Sequence, residues 1–189
     1  MKTISLSVNV LKAAMLCCGT NDVRYYLQGV CISEQAVIST DGHIMFKHPM
    51  NGNPSDDNNE QQYIIHYEDL KTLFKNLDKK VTKVDFVKLD NAYYFISEDY
   101  KQLVALIDGK YPDIDRVIQS AERAILGSEG IKQIRLNHEY LMLVNKVTKA
   151  LKLHKFDYPF FDFSTSIDTC IISYETCNAK MYYMPCRTR

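Results

Sequence analysis

The chain has 189 residues, 46% of them hydrophobic and 24% charged, which is the composition of a globular protein long enough to bury a core. Lysine and arginine number 23, and aspartate and glutamate also number 23, so the sequence excludes an overall basic field for nucleic acid. The amino terminus lacks the apolar core of a signal peptide, and no run reaches the ~20 apolar residues of a membrane span. We therefore expect a cytoplasmic protein.

The first group of predicted elements has the order β-α-β-β-β. It comprises a strand at 4–8, a helix at 10–18 capped by Asn9 and ended by Gly19, a strand at 30–32, and two strands on either side of Asp41-Gly42. Asp-Gly between apolar runs favours a two-residue hairpin turn, because it tolerates positive φ angles. We expect Asp41 to serve this turn, and a catalytic role for Asp41 and His43 is the alternative.

The same order of elements follows twice more. After a polar loop at 50–62, the pattern predicts a strand at 63–65, a helix at 67–77, and strands at 83–89, 92–97 and 102–107. Residues 108–113 break the pattern, and residues 120–130 are interpreted as a connector with one helical turn at 121–126. The third group comprises a strand at 131–136, a helix capped by Asn137 that runs to about Leu153, and strands at 160–164, 169–174 and 179–184.

The six cysteines include no C-x-x-C pair, and we expect reduced thiols packed as small apolar groups. A zinc site formed by Cys177, Cys186 and a distant histidine is the alternative, but the ligand spacing typical of zinc is absent. The sequence therefore predicts no metal and no other cofactor.

Four segments stand in order on this repeat: VRYYLQG at 23–29, STDGH at 39–43, DGKYPDIDRV at 108–117 and YMPCR at 183–187. Together they resemble the bacterial DNA polymerase III beta sliding clamp. The resemblance implies an α+β DNA clamp fold made of three β-α-β-β-β units, one full clamp domain plus half of another. Residues 1–119 are similar to the middle clamp domain, 120–130 to a connector, and 131–189 to the second half of the last domain. A clamp this short resembles a phage or mobile-element product.

In the family, a hydrophobic groove between the middle and last domains accepts a short peptide from polymerases, clamp loader and repair factors. The resemblance places that groove at Leu27, Thr40, Gly42, His43, Ile44, Met45, Pro112, Arg116, Val117, Tyr182, Tyr183, Met184, Pro185, Cys186 and Arg187. The family usually has Arg-Leu at 44–45 and small aliphatic residues at 182–183, so we expect a narrower groove here. The alternative is that these residues only pack the two parts of the chain together.

Clamps also encircle duplex DNA, and lysine and arginine on their helices hold the phosphate backbone without reading sequence. The matching candidates lie on the three helices and one loop: Lys12, Lys71, Lys75, Lys146, Lys149, Lys152, Arg24, Tyr25 and Tyr26, with Lys79 and Lys80 just after the second helix. A lysine-bearing face that is merely solvated is the alternative, and Tyr26 is equally plausible as a core residue.

The leading hypothesis is a clamp-like processivity factor without enzymatic activity, which binds duplex DNA and tethers a polymerase, clamp loader or other proteins with clamp-binding motifs. Bacterial rings contain twelve units, so a homo-oligomer of four chains is the expected ring. The alternative is a clamp mimic or decoy that binds host clamp-binding motifs or interferes with the host clamp. An enzyme is disfavoured, because no nucleophile-and-base pairing, phosphate-binding glycine loop or metal-ligand spacing is present.

Overall fold

The computed structural model describes residues 3–50, 61–127, 134–164 and 168–186. Within these residues, no helix is long and apolar enough to cross a membrane. The elements are β1 (Thr3–Ser7), α1 (Val8–Met15), a 3₁₀ helix (Tyr25–Gln28), β2 (Gly29–Ile32), β3 (Ala36–Thr40), β4 (Ile44–Pro49), β5 (Tyr63–His66), α2 (Tyr67–Asn76), β6 (Lys83–Leu89), β7 (Ala92–Ser97), β8 (Tyr100–Val104), α3 (Asp115–Leu126), α4 (His138–Leu151), β9 (Phe160–Asp162), β10 (Cys170–Ser173) and β11 (Lys180–Tyr183).

The elements fall into three successive groups, which confirms the predicted α+β repeat. We call β1, α1 and β2–β4 unit 1, β5, α2 and β6–β8 unit 2, and α4 with β9–β11 unit 3. The first strand predicted for unit 3 lies partly at 131–133, outside the described residues, and residues 134–136 are not in a strand. The loop predicted at 50–62 lies mostly at 51–60, which is also outside them.

Units 1 and 2 exchange their first strands. β1 pairs antiparallel with β6, while β5 pairs antiparallel with β2. The four-stranded sheet therefore has the order β1-β6-β7-β8, and the seven-stranded sheet has the order β5-β2-β3-β4-β11-β10-β9. Unit 3 is joined to unit 1 through their last strands, because β4 pairs with β11 and places Met45 opposite Tyr182.

Two cores stabilise this arrangement through the burial of apolar surface. The larger core lies between the helices α1, α2 and α4 and one face of both sheets, with Leu11, Leu73, Val147 and Phe46 completely buried. The smaller core lies on the opposite face of the seven-stranded sheet and includes residues of α3. Helices α1, α2 and α4 therefore share one side of the protein, and α3 lies on the other.

The helical turn predicted at 121–126, within the connector at 120–130, belongs to a longer helix, because α3 occupies Asp115–Leu126. Its buried residues Ile118 and Ala121 pack in the smaller core beside Ile114, with Ile125 partly buried against them. This spacing of apolar residues is that of an amphipathic helix lying on a sheet.

Helix α1 also differs from the prediction, because it begins at Val8 and ends at Met15. The amide of Val8 donates to the carbonyl of Thr82 at 2.9 Å, so β1 passes directly into the helix and Asn9 is not its cap. Strand β8 ends at Val104, earlier than predicted. The following residues cross to the other sheet, where the amide of Ile107 donates to the carbonyl of Ile64 at 2.9 Å.

Candidate functional site: an apolar groove beside the β3–β4 hairpin

The hairpin turn is centred on Gly42 and His43, one residue later than the sequence predicts. The amide of Asp41 donates to the carbonyl of Ile44 at 3.3 Å, and only Gly42, at φ 93°, has a positive φ in the turn. The Asp41 carboxylate accepts from the amides of His43 at 2.8 Å and Ile44 at 2.9 Å. Asp41 therefore serves the turn, as expected for an aspartate in this position.

A second contact ties the hairpin tip to unit 3. The Tyr140 hydroxyl on α4 donates to the other carboxylate oxygen of Asp41 at 3.2 Å. Burial, followed by the negative charge of Asp41, raises the pKa of Tyr140 to about 12. The His43 ring lies 6.4 Å from the Tyr140 ring, and the Tyr140 ring lies 5.3 Å from that of Tyr183. The tip of the hairpin is thus held from two sides.

The two adjacent tyrosines of β11 point in opposite directions, as alternate residues of a strand must. Tyr182 packs with Met45 in the smaller core, and burial raises its pKa to about 12. Tyr183 is completely buried in the larger core, and its hydroxyl donates to the carbonyl of Asn137 at 3.2 Å. Only Tyr182 therefore faces the side of the sheet on which α3 lies.

A cavity of about 160 Å³ opens between the hairpin, β11 and the start of α3. Ten of the fifteen residues predicted for the groove line it: Leu27, Thr40, Gly42, His43, Ile44, Met45, Pro112, Val117, Tyr182 and Met184. Four residues that were not assigned to the groove also line it: Arg24, Asp113, Ile114 and Thr169. Val117 and Met184 are exposed at 44% and 49%, although both are apolar. The groove therefore presents apolar surface to solvent.

The remaining predicted groove residues lie elsewhere. Tyr183 is completely buried in the larger core and does not line the cavity. Arg116 is exposed on α3 outside the cavity. Pro185 and Cys186 do not line it, and the amide of Cys186 donates to the carbonyl of Arg135 at 3.0 Å. Arg187 lies outside the described residues.

Arg24 was predicted as a DNA contact, but it lies at the groove. Its guanidinium forms an ion pair with Asp22 at 2.6 Å and also donates to the carbonyl of Asp41 at 3.3 Å. Hydrogen bonds from Arg24 hold the pKa of Asp22 at about 2, below its usual range. A side chain at Gly42 would lie 2.7 Å from Arg24 Nη2, so the glycine allows this close approach. Arg24 is therefore a polar residue at the edge of the groove.

The predicted lysines lie on the three helices that share one side of the protein. Lys12 lies over the Phe74 ring at 5.3 Å, and Lys71 pairs with Glu68 at 2.8 Å. Four other predicted lysines are exposed and form no ion pair among the described residues: Lys75 and, at α4, Lys146, Lys149 and Lys152. Lys152 lies just after α4 as its C-cap and not within the helix as predicted. Lys79 and Lys80 are also exposed.

The two loop tyrosines predicted to contact DNA have different environments. Tyr25 is 55% exposed, and its ring meets the Tyr26 ring edge-on at 5.7 Å. Tyr26 is partly buried against the smaller core. Of this pair, Tyr25 is the better placed to meet a ligand.

The chain was compared with known proteins. The sequence profile of the DNA polymerase III beta subunit, central domain, matches residues 4–113. A comparison with curated proteins found no match.

Solved structures share the fold at low sequence identity. The chain is 17% identical to the DNA polymerase III subunit beta from Pseudomonas aeruginosa, covering 100% of this chain and 67% of that one with a TM-score of 0.70. It is 17% identical to the DNA polymerase sliding clamp from Bacillus subtilis, covering 100% of this chain and 65% of that one with a TM-score of 0.72. It is 18% identical to the beta chain from Streptococcus pneumoniae, covering 100% of this chain and 65% of that one with a TM-score of 0.69. The chain thus spans about two-thirds of the length of these proteins.

Proposed function

This chain belongs to the DNA polymerase III beta subunit family, and we propose that it is a sliding-clamp-like processivity factor that holds replication proteins on duplex DNA. In this role the protein carries out no reaction. It binds DNA on one side and partner peptides on the other, in the cytoplasm, as a homo-oligomer that closes around the duplex. Four chains of three units would supply the twelve units of a ring.

The groove carries this proposal, because ten residues from distant parts of the sequence converge on one cavity. A short linear peptide of a polymerase, clamp loader or other replication protein fits its chemistry. Exposed Val117 and Met184 offer apolar surface to the anchor side chains of such a peptide, and Arg24 and Asp113 offer polar groups at the edge. Apolar anchors supply most of the binding free energy in such complexes, and polar groups fix the direction of the peptide.

The three helices support the DNA-binding part of the proposal. Helices α1, α2 and α4 pack against the same face of the two sheets, and each carries lysine away from the core. Unpaired lysines on one surface attract the phosphate backbone without reading sequence. The groove, in contrast, lies beside α3. DNA and peptide would therefore occupy separate surfaces.

One substitution at the edge of the groove tests peptide binding. Val117→Asp places a charge at an apolar, 44% exposed position of the cavity, and Val117 belongs to neither buried core. We expect a fluorescent clamp-binding peptide of the polymerase type to bind at about micromolar strength and to lose at least tenfold in affinity with this variant.

Leu126→Asp is the matched control, because Leu126 is an 88% exposed apolar residue of the same helix and does not line the cavity. Its affinity for the peptide should be unchanged in fluorescence anisotropy. Equal peptide binding by both variants and the unmodified protein would overturn the groove assignment.

The clamp mimic is the second candidate, and the net charge of zero favours it. In that role the groove would bind the clamp-binding motifs of host proteins without a ring on DNA. Retention on a closed circular duplex separates the two functions. A processivity factor stays on the circle and is released when the duplex is cut, whereas a mimic is not retained at any salt concentration.

A further inference from the structure

Unit 3 lacks the covering that units 1 and 2 give each other. In those two units the outer edge of the second strand is covered by the first strand of the companion, β5 on β2 and β1 on β6. The equivalent strand of unit 3 is β9, which ends the seven-stranded sheet. Among the described residues, no strand pairs with its outer edge. Open edges of this kind are templates for pairing with another chain.

Exposed apolar side chains are concentrated in the same unit. Of the twelve large hydrophobic residues exposed in the described parts of the chain, six belong to unit 3 and the segment between α4 and β9: Leu141, Met142, Phe156, Tyr158, Phe160 and Phe161. Tyr158 is exposed at 70%, Phe156 at 66% and Phe160 at 56%. Aromatic residues are enriched in the buried centre of protein interfaces, and an exposed group of them marks an interaction surface.

We propose that this face of unit 3, formed by the outer edge of β9 and its exposed aromatic residues, binds the same face of a second copy of the chain. The contact is isologous, with a twofold axis between the two copies of unit 3. Together they form one two-unit domain, in which the two β9 edges pair directly and no first strand is exchanged.

The contact between units 1 and 2 indicates why the partner is a second copy. That contact is reciprocal, since each unit covers an edge of the other, so it has the form of a twofold contact between similar units. Two identical copies of unit 3 form a reciprocal contact by pairing β9 with β9, because an isologous interface uses one patch twice. The patch also contains both signs of charge, exposed Lys155 and Asp162, so a self-contact need not oppose like charges.

The contact supplies one of the interfaces of the proposed ring, and in that respect the inference rests on the proposed function. The dimer itself requires neither DNA nor a peptide. Contacts between units alternate along the chain, because units 2 and 1 exchange strands while units 1 and 3 join through β4 and β11. A contact between two copies of unit 3 through their β9 edges takes the place of the strand exchange in this alternation. An odd number of units per chain is then compatible with closure.

Sedimentation equilibrium of the full chain tests the inference. The unmodified protein should have a mass of at least twice the chain mass of 21.9 kDa. Replacing Tyr158 and Phe160 together with Asp should halve the mass of the largest species, and both side chains are exposed, so the fold should survive. The matched control replaces Val23 and Leu126 with Asp, at 96% and 88% exposed sites outside unit 3, and should leave the mass unchanged.

A photo-crosslinking residue at position 158 identifies the surface directly. The linked peptides should both come from residues 138–163. A monomer at every concentration, an unchanged mass in the Tyr158/Phe160 variant, or cross-links only to peptides of units 1 and 2 would overturn the inference. A monomer that still binds the clamp-binding peptide overturns the inference alone, whereas a unit 3 dimer that binds neither peptide nor DNA overturns the proposed function alone.

Discussion

Replacing Asp41 tests how the groove wall is held. Its carboxylate accepts three hydrogen bonds, from the amides of His43 and Ile44 and from the hydroxyl of Tyr140. Each such bond contributes about 0.5–1.5 kcal/mol, so Asp41→Ala should lower the free energy of unfolding by about 2–4 kcal/mol. Asp41→Asn keeps an oxygen that accepts from the two amides, so it should lower the free energy of unfolding by about 1 kcal/mol or less.

Urea unfolding followed by circular dichroism measures the free energy of unfolding of both variants. Tyr140→Phe removes only the hydrogen bond from the Tyr140 hydroxyl to Asp41, and it should lower the free energy of unfolding by about 1 kcal/mol. The groove wall should also loosen, so Asp41→Ala should weaken peptide binding more than Asp41→Asn does. An Asn variant as unstable as the Ala variant, or an Ala variant within about 0.5 kcal/mol of the unmodified protein, would refute the role given to this carboxylate.

Three further predictions concern the tyrosine beside Asp41, a crowded glycine and the helix lysines. The pKa of Tyr140 is raised to about 12, so its contribution to stability is present below its ordinary value of 10 and is lost as pH rises through 12. In Asp41→Asn, carbon-13 NMR of the phenol should show a lower pKa of Tyr140 that stays above 10, because the ring remains buried. An unchanged pKa would contradict the contact between Tyr140 and Asp41. Gly29→Ala would place Cβ 2.8 Å from the Ile65 carbonyl oxygen, so it should lower the free energy of unfolding in urea by about 1–3 kcal/mol. In Gly127→Ala the nearest atom to the new Cβ is 3.8 Å away, so the free energy of unfolding should be nearly unchanged. On helix α4 and at its C-cap, glutamate at Lys146, Lys149 and Lys152 should weaken DNA retention and its salt dependence. The same change in net charge at Lys83, Lys101 and Lys110, which lie off the helices, should have a smaller effect, and equal effects would remove α4 from the DNA surface.

Local signals were sufficient for most elements of the fold. Strands β6 and β7 have the predicted bounds, because Asp90 and Asn91 between them both adopt the positive φ of a tight turn. Asn137 caps α4 as predicted, with its side chain accepting from the amide of Glu139. Only the last part of helix α3, at 121–126, was predicted, although Ile114, Ile118, Ala121 and Ile125 carry helical spacing along its whole length.

Most of the candidate site was predictable, because ten of the fifteen residues that the resemblance assigned to the groove line one cavity. Tyr182 and Tyr183 were both assigned to the groove, and only Tyr182 lines it. Alternation along a strand does not decide this, because the neighbours Ile44 and Met45 of β4 face opposite sides and both line the cavity. Arg24 was assigned to DNA because it matches a clamp loop near the DNA, and the sequence does not reveal that its side chain also lines the groove. Asp22, two residues away, neutralises it through an ion pair that depends on the fold of the loop. The division into domains and the function of the groove stay predictions.

The pairing of β4 with β11 has a consequence for folding during synthesis. β11 is made 131 residues after the end of β4, so the hairpin must wait with one edge unpaired while unit 2, α3 and α4 leave the ribosome. Contacts this distant in sequence form late, because a long loop must first be closed. Tyr182 and Met184 reach the hairpin only at that step, and the nascent chain therefore has no groove to offer a peptide until its seven-stranded sheet is joined.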